Sequence, residues 1–339
     1  MKNYKLFLLV FIIISPILTW AQNGYDEMQR VINTVEKNYS GFKVLKSDQQ
    51  EAYINLKKKI LDSITVYKDI NDQLKIVKNY LSFFEDNHLR AFIGDLMSFA
   101  VNEMGFKLDP PALSLADSET IILTIPSFLG SSKDVIDDLL KKNQAQFSQI
   151  KNLIIDLRGN RGGNDAAFYS LLNLLYTNDL TIHKYYFLVT ENSLEKYKSH
   201  FSVEKMERIK EMHGELVALT DEKSDIYIEK HEFKKSLYPL NVAIIVDRFV
   251  GSSAEQFLLY AKQSRKVKIF GENTSGTLDC TNPDMFQFFN NAITVTIPTM
   301  ISARVWNRAG IENIGIQPDI YVPDMTKVID FTKNTLKVW

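Results

Sequence analysis

The stretch over residues 242–262 sets the strongest constraint on the fold. Its first five residues, Val242–Val246, are apolar and mostly β-branched, which is typical of a strand buried on both faces. A short turn that contains Gly251 follows, and residues 254–262 then have the character of a helix. A buried strand that leads through a turn into a helix is the repeating unit of a parallel α/β sheet.

A second stretch repeats this arrangement earlier in the chain. Residues 119–128 contain a strand, and apolar spacing predicts an amphipathic helix over residues 132–147. Residues 152–157 form another buried-type strand, which runs into a glycine turn and a helix over residues 166–175. This order predicts an α/β fold with a parallel sheet, whose active sites lie at the carboxyl ends of the strands.

Ser252 stands at the junction between the turn and the helix of the first stretch. A serine there can present its hydroxyl beside free backbone N–H groups, which suits a nucleophile that attacks a carbonyl carbon. Ser252 and Glu255 also match a capping box, in which Ser252 serves only to cap the helix. The residues themselves leave both interpretations open.

The glycine turn over residues 158–165 allows three interpretations. Gly162 and Gly163 can let backbone N–H groups converge on a phosphate or on an oxyanion, or can merely satisfy the dihedral angles of a tight turn. The turn lacks the Lys-Ser/Thr ending of a phosphate-binding loop and the spacing of a dinucleotide fingerprint. Phosphate is therefore the weaker of the two ligand hypotheses.

Four further segments complete the predicted organisation. Apolar residues at three- and four-residue spacing predict an N-terminal helical domain of three helices over residues 22–85. The catalytic region is predicted over residues 86–325, interrupted by an insertion over residues 178–239. A C-terminal helix is predicted over residues 326–339.

Residues 1–21 are predicted to be a secretory signal peptide. Two lysines precede the apolar run Leu6–Ile14, a proline breaks this run, and small residues occupy the −3 and −1 positions before Gln22. Nine apolar residues fall short of the roughly 20 that a spanning helix needs. The sequence thus predicts a periplasmic or extracellular protein that is not stably inserted in a membrane after cleavage. The single cysteine, Cys280, excludes an intramolecular disulfide.

Composition and charge argue against several classes of function. The formal net charge is −1, so no basic surplus indicates a nucleic-acid partner. The five histidines show no metal-ligand spacing, and no motif indicates a cofactor. We therefore predict neither a metal nor a cofactor, and the sequence does not indicate an oligomeric state.

Four ordered pieces of the chain, spread over roughly residues 85–325, resemble one family. The family comprises the secreted serine peptidases that include the C-terminal processing (tail-specific) proteases and the tricorn core protease. Its members share a crotonase-like βαβ superhelix, which the resemblance implies for the catalytic domain here. The matching pieces are Leu153-Ile-Ile-Asp-Leu-Arg-Gly-Asn-Arg-Gly-Gly163, Ile244-Ile-Val-Asp-Arg-Phe-Val-Gly-Ser-Ser-Ala-Glu255, Gly271-Glu-Asn-Thr-Ser-Gly276 and Glu312-Asn-Ile-Gly-Ile-Gln-Pro-Asp319.

The resemblance implies a role for the two motifs that the residues alone left open. Ser252 occupies the position of the nucleophile. The oxyanion hole would be formed by a glycine N–H of the turn, for which we choose Gly162, and by the N–H of Ser253. Tail-specific members use a lysine about 25 residues after the serine, where this chain has Thr277. A Ser–Lys dyad is therefore not expected.

The tricorn-type members use a histidine and a glutamate instead, and this chain has both at matching places. By the resemblance, His88 is the general base and Glu312 its partner. A serine precedes the histidine in the tricorn protein, whereas Asn87 stands there in this chain and could bridge the two groups as a relay. Asp86 is an alternative residue to orient the base.

The resemblance implies a serine-type endopeptidase that acts on extended peptides or unfolded proteins. About 30 residues separate His88 from Glu119, too few for the PDZ insertion of tail-specific members, since a domain needs roughly 50 or more. The alternative is a non-catalytic protein that binds peptides or apolar ligands on the same fold. Some retinoid-carrying relatives keep this architecture without evident proteolysis.

Overall fold

The computed structural model describes residues 24–45, 47–64, 69–230 and 237–339. The predicted signal peptide, residues 1–21, lies outside these ranges. The described residues form two compact units, each assembled from three segments of the chain. The first unit comprises the residues up to Phe99, Tyr185–Thr220 and Cys280–Ile301, and the second comprises Ala100–Lys184, Asp221–Asp279 and Ser302–Trp339.

The elements alternate along the chain, and their bounds are as follows. The helices are α1 (24–38), α2 (Ser47–Ile64), α3 (Ile70–Ser82), α4 (Leu96–Asn102), α5 (Ser132–Lys142), α6 (Gln144–Phe147), α7 (Tyr169–Leu175), α8 (Glu191–Tyr197), α9 (Val203–Lys210), α10 (Ser253–Ala261) and α11 (Val328–Leu336). The strands are β1 (Arg90–Ile93), β2 (Ala112–Asp117), β3 (Thr120–Thr124), β4 (Asn152–Asp156), β5 (Leu180–His183), β6 (Tyr185–Leu188), β7 (Leu216–Ala218), β8 (Ile226–Glu229), β9 (Asn241–Val246), β10 (Val267–Gly271), β11 (Cys280–Phe288), β12 (Ile293–Ser302) and β13 (Ile320–Tyr321).

The first unit contains the three helices predicted near the N-terminus and a five-stranded sheet. Asp69 begins α3 by accepting the N–H of Asn71. Tyr53 of α2 packs edge to face with Phe42, and Tyr80 of α3 packs edge to face with Phe84. The sheet has the order β1-β12-β6-β7, and β11 pairs with β12. Because β12 pairs antiparallel with both β1 and β11, the residues that flank these two strands lie close together.

The second unit contains the parallel sheet that the sequence predicts. Its order is β13-β10-β9-β4-β3-β2, and every neighbouring pair is parallel except β2 with β3. Side chains alternate between two buried faces: Leu153 and Ile155 pack against one apolar cluster, and Ile154 packs against the other, which α11 covers. The α/β fold with an N-terminal helical region is therefore confirmed.

Adjacent parallel strands bring two loops of this unit together. Asp156 of β4 pairs with Ile245 of β9, and the N–H of Leu157 continues the ladder to the carbonyl of Ile245. The turns after β4 and β9 consequently lie side by side at the carboxyl edge of the sheet, the edge where α/β proteins bind their ligands.

Several predicted elements are interrupted in the structure. The helix predicted over residues 132–147 is divided at Asn143 into α5 and α6. The first part of the predicted insertion contains two strands, β5 and β6, which belong to different sheets. The predicted insertion over residues 178–239 is shared between the units, since Tyr185–Thr220 groups with the first unit. Among the described residues, no helix combines the length and the apolar character needed to cross a membrane.

Candidate active site

Ser252 sits at a strained point in the turn after β9. Its φ of 54° and ψ of −126° lie in a region that residues with a side chain rarely adopt. Two backbone hydrogen bonds hold the turn. The N–H of Val250 donates to the backbone carbonyl of Asp247, and the N–H of Gly251 donates to the carbonyl of Asn160. A strand that turns sharply into a helix at a serine with unusual dihedral angles has the geometry of a nucleophile elbow.

The glycine turn after β4 packs directly against this serine. A Cβ on Gly162 would lie 2.8 Å from the carbonyl oxygen of Gly251, the Cβ of Ser252 and the nitrogen of Ser253, and the φ of Gly162 is +94°. Only glycine permits both this conformation and this approach. The structure thus brings Gly162, Ser252 and Ser253 together.

The backbone N–H groups of the turn have different partners. The N–H of Gly162 donates to the side-chain oxygen of Asn160 at 2.9 Å, so the predicted oxyanion-hole donor already has an acceptor. Gly163 forms a parallel bridge with Phe128, and in such a bridge the residue's own N–H and C=O point to the opposite side. On that side the Gly163 carbonyl accepts the hydroxyl of Ser253 at 3.0 Å. Within the described ranges, the N–H groups of Gly163 and Ser253 have no hydrogen-bond acceptor.

Glu255 links the serine turn to the loop after β10. Its carboxylate is fully buried and accepts the N–H of Ser252 at 3.2 Å, which is the glutamate half of the predicted capping box. It also accepts the N–H groups of Gly276 and Thr277, each at 2.7 Å, and the hydroxyl of Thr274. Burial raises the pKa of Glu255, and these four hydrogen bonds act in the opposite direction. The sequence indicated only the capping role.

Glu312 lies in the second unit, beside the end of the same loop. Its Oε2 accepts the N–H groups of Leu278 and Asp279, each at 3.3 Å. Asp279 is buried and holds the backbone that leads into Glu312 by accepting the N–H groups of Ile311 and Glu312. Asp279 also forms a buried ion pair with Arg304 at 3.4 Å. Neither Asp279 nor Arg304 carried a sequence signal beyond its residue type.

His88 lies in the first unit, immediately before β1. Its Nδ1 is 2.7 Å from the backbone oxygen of Cys280, the first residue of β11. Because a carbonyl oxygen can only accept, Nδ1 must carry the proton, and the neutral ring then has its lone pair on Nε2. Burial lowers the pKa of His88, although the nearby Asp86 carboxylate and the Cys280 carbonyl raise it. A neutral histidine with its lone pair on Nε2 is suited to general base catalysis.

Asp86 and Asn87 hold the histidine turn in different ways. Asp86 accepts the backbone N–H of His88 at 2.8 Å and the hydroxyl of Tyr39 at 2.8 Å, and burial raises its pKa. The carbonyl of Asn87 accepts the Nε of Arg90. Asp86 therefore positions the backbone of the turn, while the Cys280 carbonyl orients the imidazole. Tyr39, a buried residue of the first unit, was not identified from the sequence.

The predicted site residues are thus distributed over both units. The second unit holds Ser252, Ser253, Gly162 and Glu312, and the first holds His88 with its two neighbours. Within the described ranges, no group of three or more His, Cys, Asp or Glu side chains is arranged to hold a metal ion.

Replacing Gly162 with alanine is expected to lower peptidase activity by about 10²–10³-fold, because the added Cβ would displace the Ser252 turn and with it the N–H of Ser253, and a misplaced oxyanion-hole donor costs about as much as a lost one. Gly94→Ala is the matched control, since its φ is +91° and no atom lies within 4 Å of the added Cβ. The control should lose only about 1–2 kcal/mol of stability through the left-handed conformation. Equal activities of the two variants would show that close packing at Gly162 is unimportant.

Comparisons with known proteins identify the family of the chain. The model of peptidase family S41 matches residues 119–322, which is more than half of the chain. A nisin-resistance protein from Lactococcus lactis subsp. lactis is 24% identical over 298 residues, covering 86% of this chain and 83% of the relative.

Two solved structures share the fold. A lipoprotein from Streptococcus agalactiae matches with a TM-score of 0.56 and 20% identity, covering 93% of this chain and 96% of that one. Mature CPAF matches with a TM-score of 0.64 and 12% identity, covering 94% and 97% of the two chains. The family match includes the serine turn, the glycine turn and Glu312. The chain belongs to peptidase family S41.

Proposed function

We propose that the protein is a serine-type endopeptidase with Ser252 as its nucleophile. The observation that carries the proposal is the surroundings of Ser252. The residue stands in a strained turn, against the glycine turn, and the neighbouring N–H groups of Gly163 and Ser253 have no acceptor in the part of the chain that the structure describes. An oxyanion hole needs such unoccupied donors, fixed in place before the reaction. We therefore assign the glycine donor to Gly163 in place of Gly162.

We assign the general base to His88 and its electrostatic support to Glu312. The Cys280 carbonyl supports this assignment because it fixes the proton on Nδ1 and leaves Nε2 as the acceptor. Asp86 positions the histidine turn through the backbone, and Asn87 stays a candidate relay through its side-chain amide. No metal or cofactor takes part in the proposed reaction.

The proposed reaction is acyl transfer in two steps. The Oγ of Ser252 attacks the peptide carbonyl carbon while its proton passes to Nε2 of His88, and the negative charge that develops on the carbonyl oxygen is stabilised by the two N–H groups. The C–N bond breaks as His88 returns the proton to the amine. Water then attacks the acyl-enzyme with the same base, and carboxylate product is released.

The proposed substrates are extended peptides or unfolded proteins. Family membership supports a peptide or protein substrate, and an extended segment can be bound by addition to a strand edge. We propose a periplasmic or extracellular location, on the strength of the signal sequence predicted over residues 1–21. The descriptions of the two bacterial relatives, a lipoprotein and a nisin-resistance protein, fit an envelope location.

Fluorophosphonate labelling tests the proposal directly. An activated serine displaces fluoride from the probe and forms a covalent phosphonate ester, and no substrate needs to be known. We expect stoichiometric labelling of the purified protein on Ser252, located by peptide mass spectrometry, and cleavage of an unfolded protein such as reduced casein. Labelling that falls on another residue, or none on folded protein, would contradict the proposal.

The pH dependence of the reaction is expected to report on His88. The base acts when it is neutral, so a pKa lowered by burial should move the acid limb of the kcat/KM profile below about pH 6.5, the usual pKa of histidine. Because the Asp86 carboxylate raises the pKa of His88, Asp86→Asn should move the limb further down. The measurement is the rate constant of fluorophosphonate labelling from about pH 4 to about pH 8, because labelling needs the same neutral base as peptide hydrolysis. A limb well above pH 6.5 would indicate a different base.

One observation favours the alternative, a ligand-binding protein on the same fold. A cavity of about 270 Å³ in the second unit is lined by three tyrosines and by Glu229, and small apolar or aromatic ligands could occupy it. Folded protein that neither reacts with the probe nor cleaves casein, yet binds a hydrophobic dye in this cavity, would favour this function.

A further inference from the structure

Two arginines lie against the ring of an exposed phenylalanine near Ser252. The ring of Phe249 is 39% exposed, and the guanidinium carbons of Arg161 and Arg248 each lie 4.9 Å from its centroid. Arg161 belongs to the glycine turn after β4, and Arg248 and Phe249 belong to the serine turn after β9. Cation–π contact with the ring holds each guanidinium group in place. The contact does not use the N–H groups, so each guanidinium can still donate hydrogen bonds.

Hydrogen bonds join the two turns that carry these residues, and one of them is the turn of Ser252. Asp247 accepts the N–H groups of Gly159 and Phe249 with one oxygen, at 3.1 and 3.0 Å, and so ties the two turns together. Phe249 is three residues before Ser252. Between these two residues, the N–H of Gly251 donates to the carbonyl of Asn160 in the other turn. A group bound by these arginines would therefore be close to the scissile bond.

The charges of Arg161 and Arg248 are not neutralised by an ion pair, unlike that of the neighbouring Arg158. Arg158 forms a bidentate pair with Asp156, at 2.9 and 2.7 Å. By contrast, neither Arg161 nor Arg248 has a carboxylate within ion-pair distance in the described part of the chain. The Nε of Arg161 is buried there without any acceptor. A buried donor that lacks an acceptor is costly unless a ligand supplies one.

A cleft beside these residues has room for a peptide segment. Its volume is about 720 Å³, and Lys107, Arg248 and Phe249 line it together with the paired Arg158. Asp247 and Glu272 also face the cleft, but Asp247 is occupied by its two backbone donors. With the pair of Arg158 and Asp156 set aside, Lys107 and Arg248 match the two carboxylates of the lining in charge. Arg161, which lies against the Phe249 ring, adds a further positive charge beside them, and this favours an anionic group there.

We infer that Arg161 and Arg248 bind a carboxylate of the peptide substrate beside the scissile bond, with Phe249 holding both guanidinium groups in place. Arginine donates to carboxylates through paired N–H groups, which favours this ligand over a neutral amide. The carboxylate can come from an aspartate or glutamate side chain or from the C-terminus of a peptide. The inference rests on the proposed peptidase function, since it concerns the substrate of the same site.

The test uses one cleaved peptide, taken from the casein digest, in four forms. The acidic residue nearest the cleaved bond is either glutamate or glutamine, and the C-terminus is either a free acid or an amide. We expect kcat/KM to fall about 10–100-fold when the critical carboxylate is neutralised, the range for a hydrogen bond to a charged group. Loss with glutamine identifies a side chain, and loss with the amide identifies the C-terminus.

Variants assign the effect to the arginines. In Arg248→Gln and Arg161→Gln the preference among the four peptides should shrink to about threefold or less. The matched control is Arg265→Gln, an exposed arginine of the same unit outside the cleft, which should keep the preference. Arg248 is itself exposed, so its replacement should not impair folding. Retention of the full preference in both cleft variants would overturn the inference.

A binding measurement separates this inference from the proposed function. Fluorescence anisotropy with the four labelled peptides and the Ser252→Ala protein reports affinity without turnover. The preference in dissociation constants should match the one in kcat/KM and disappear in Ser252→Ala/Arg248→Gln. Preferential binding by a chain that the fluorophosphonate does not label would support the carboxylate site and remove the peptidase function. Equal binding of all four peptides, with labelling intact, would do the reverse.

Discussion

Replacing Ser252 with alanine is expected to lower peptide hydrolysis by about 10⁴-fold or more and to abolish fluorophosphonate labelling, since the acyl-enzyme cannot form without the Oγ atom. The fold should not change, because the turn is held by the backbone bonds of Gly251 and Val250 and by Glu255, all of which alanine leaves in place. Circular dichroism and urea unfolding should therefore coincide for the two proteins. Activity is compared on reduced casein and on the peptide used for the carboxylate test.

A second substitution at the same residue separates catalysis from strain. Ser252→Gly also removes the nucleophile, but it relieves the positive φ of 54° and should raise the unfolding free energy by about 1 kcal/mol. The matched control is Ser131→Ala, at an exposed serine whose side chain makes no capping bond to α5. The control should keep full activity. Ser252 would be ruled out as the nucleophile if Ser252→Ala hydrolysed the substrate faster than a mock preparation purified from cells that lack the protein.

The sequence predicted the second unit better than the first. Runs such as Val242–Val246 are apolar at every position, which restricts them to strands buried on both faces, and the turns after them carry glycines at the points of closest approach. The core of the parallel sheet follows from these local patterns, whereas the association of Gly162 with Ser252 was predicted from the family resemblance. Residues 178–230 were harder because short, half-exposed strands such as β7 and β8 carry little periodicity.

The interactions that position the proposed site were less predictable, because they join residues distant in sequence. The partner of His88 is a backbone carbonyl 192 residues away, and a carbonyl is available at every position of the chain. The hydrogen bond from the Gly162 N–H to the Asn160 side chain depends on the conformation of the turn, which its residue types do not reveal. Glu255 was visible as a capping residue, but its bonds to residues 274–277 depend on how two loops meet.

Replacing Glu255 with glutamine is expected to lower the unfolding free energy by about 3 kcal/mol and to reduce activity sharply. Each carboxylate oxygen accepts two bonds: Oε1 from Thr274 and Gly276, and Oε2 from Ser252 and Thr277. Whichever way the glutamine is turned, its NH₂ group faces a backbone N–H, and at least one buried donor loses its acceptor. A buried unsatisfied polar group costs about 1–3 kcal/mol, and two facing donors also repel each other.

Urea unfolding followed by tryptophan fluorescence measures this effect, and Glu119→Gln is its matched control. The side chain of Glu119 is 60% exposed and lies 3.7 Å from Lys151, so its replacement should change stability by less than about 0.5 kcal/mol. Because Glu255 holds the N–H of Ser252, kcat/KM should fall in Glu255→Gln even under conditions where the protein is fully folded. A stable and active Glu255→Gln protein would mean that the loop over residues 274–277 does not need this carboxylate to stay against the serine turn.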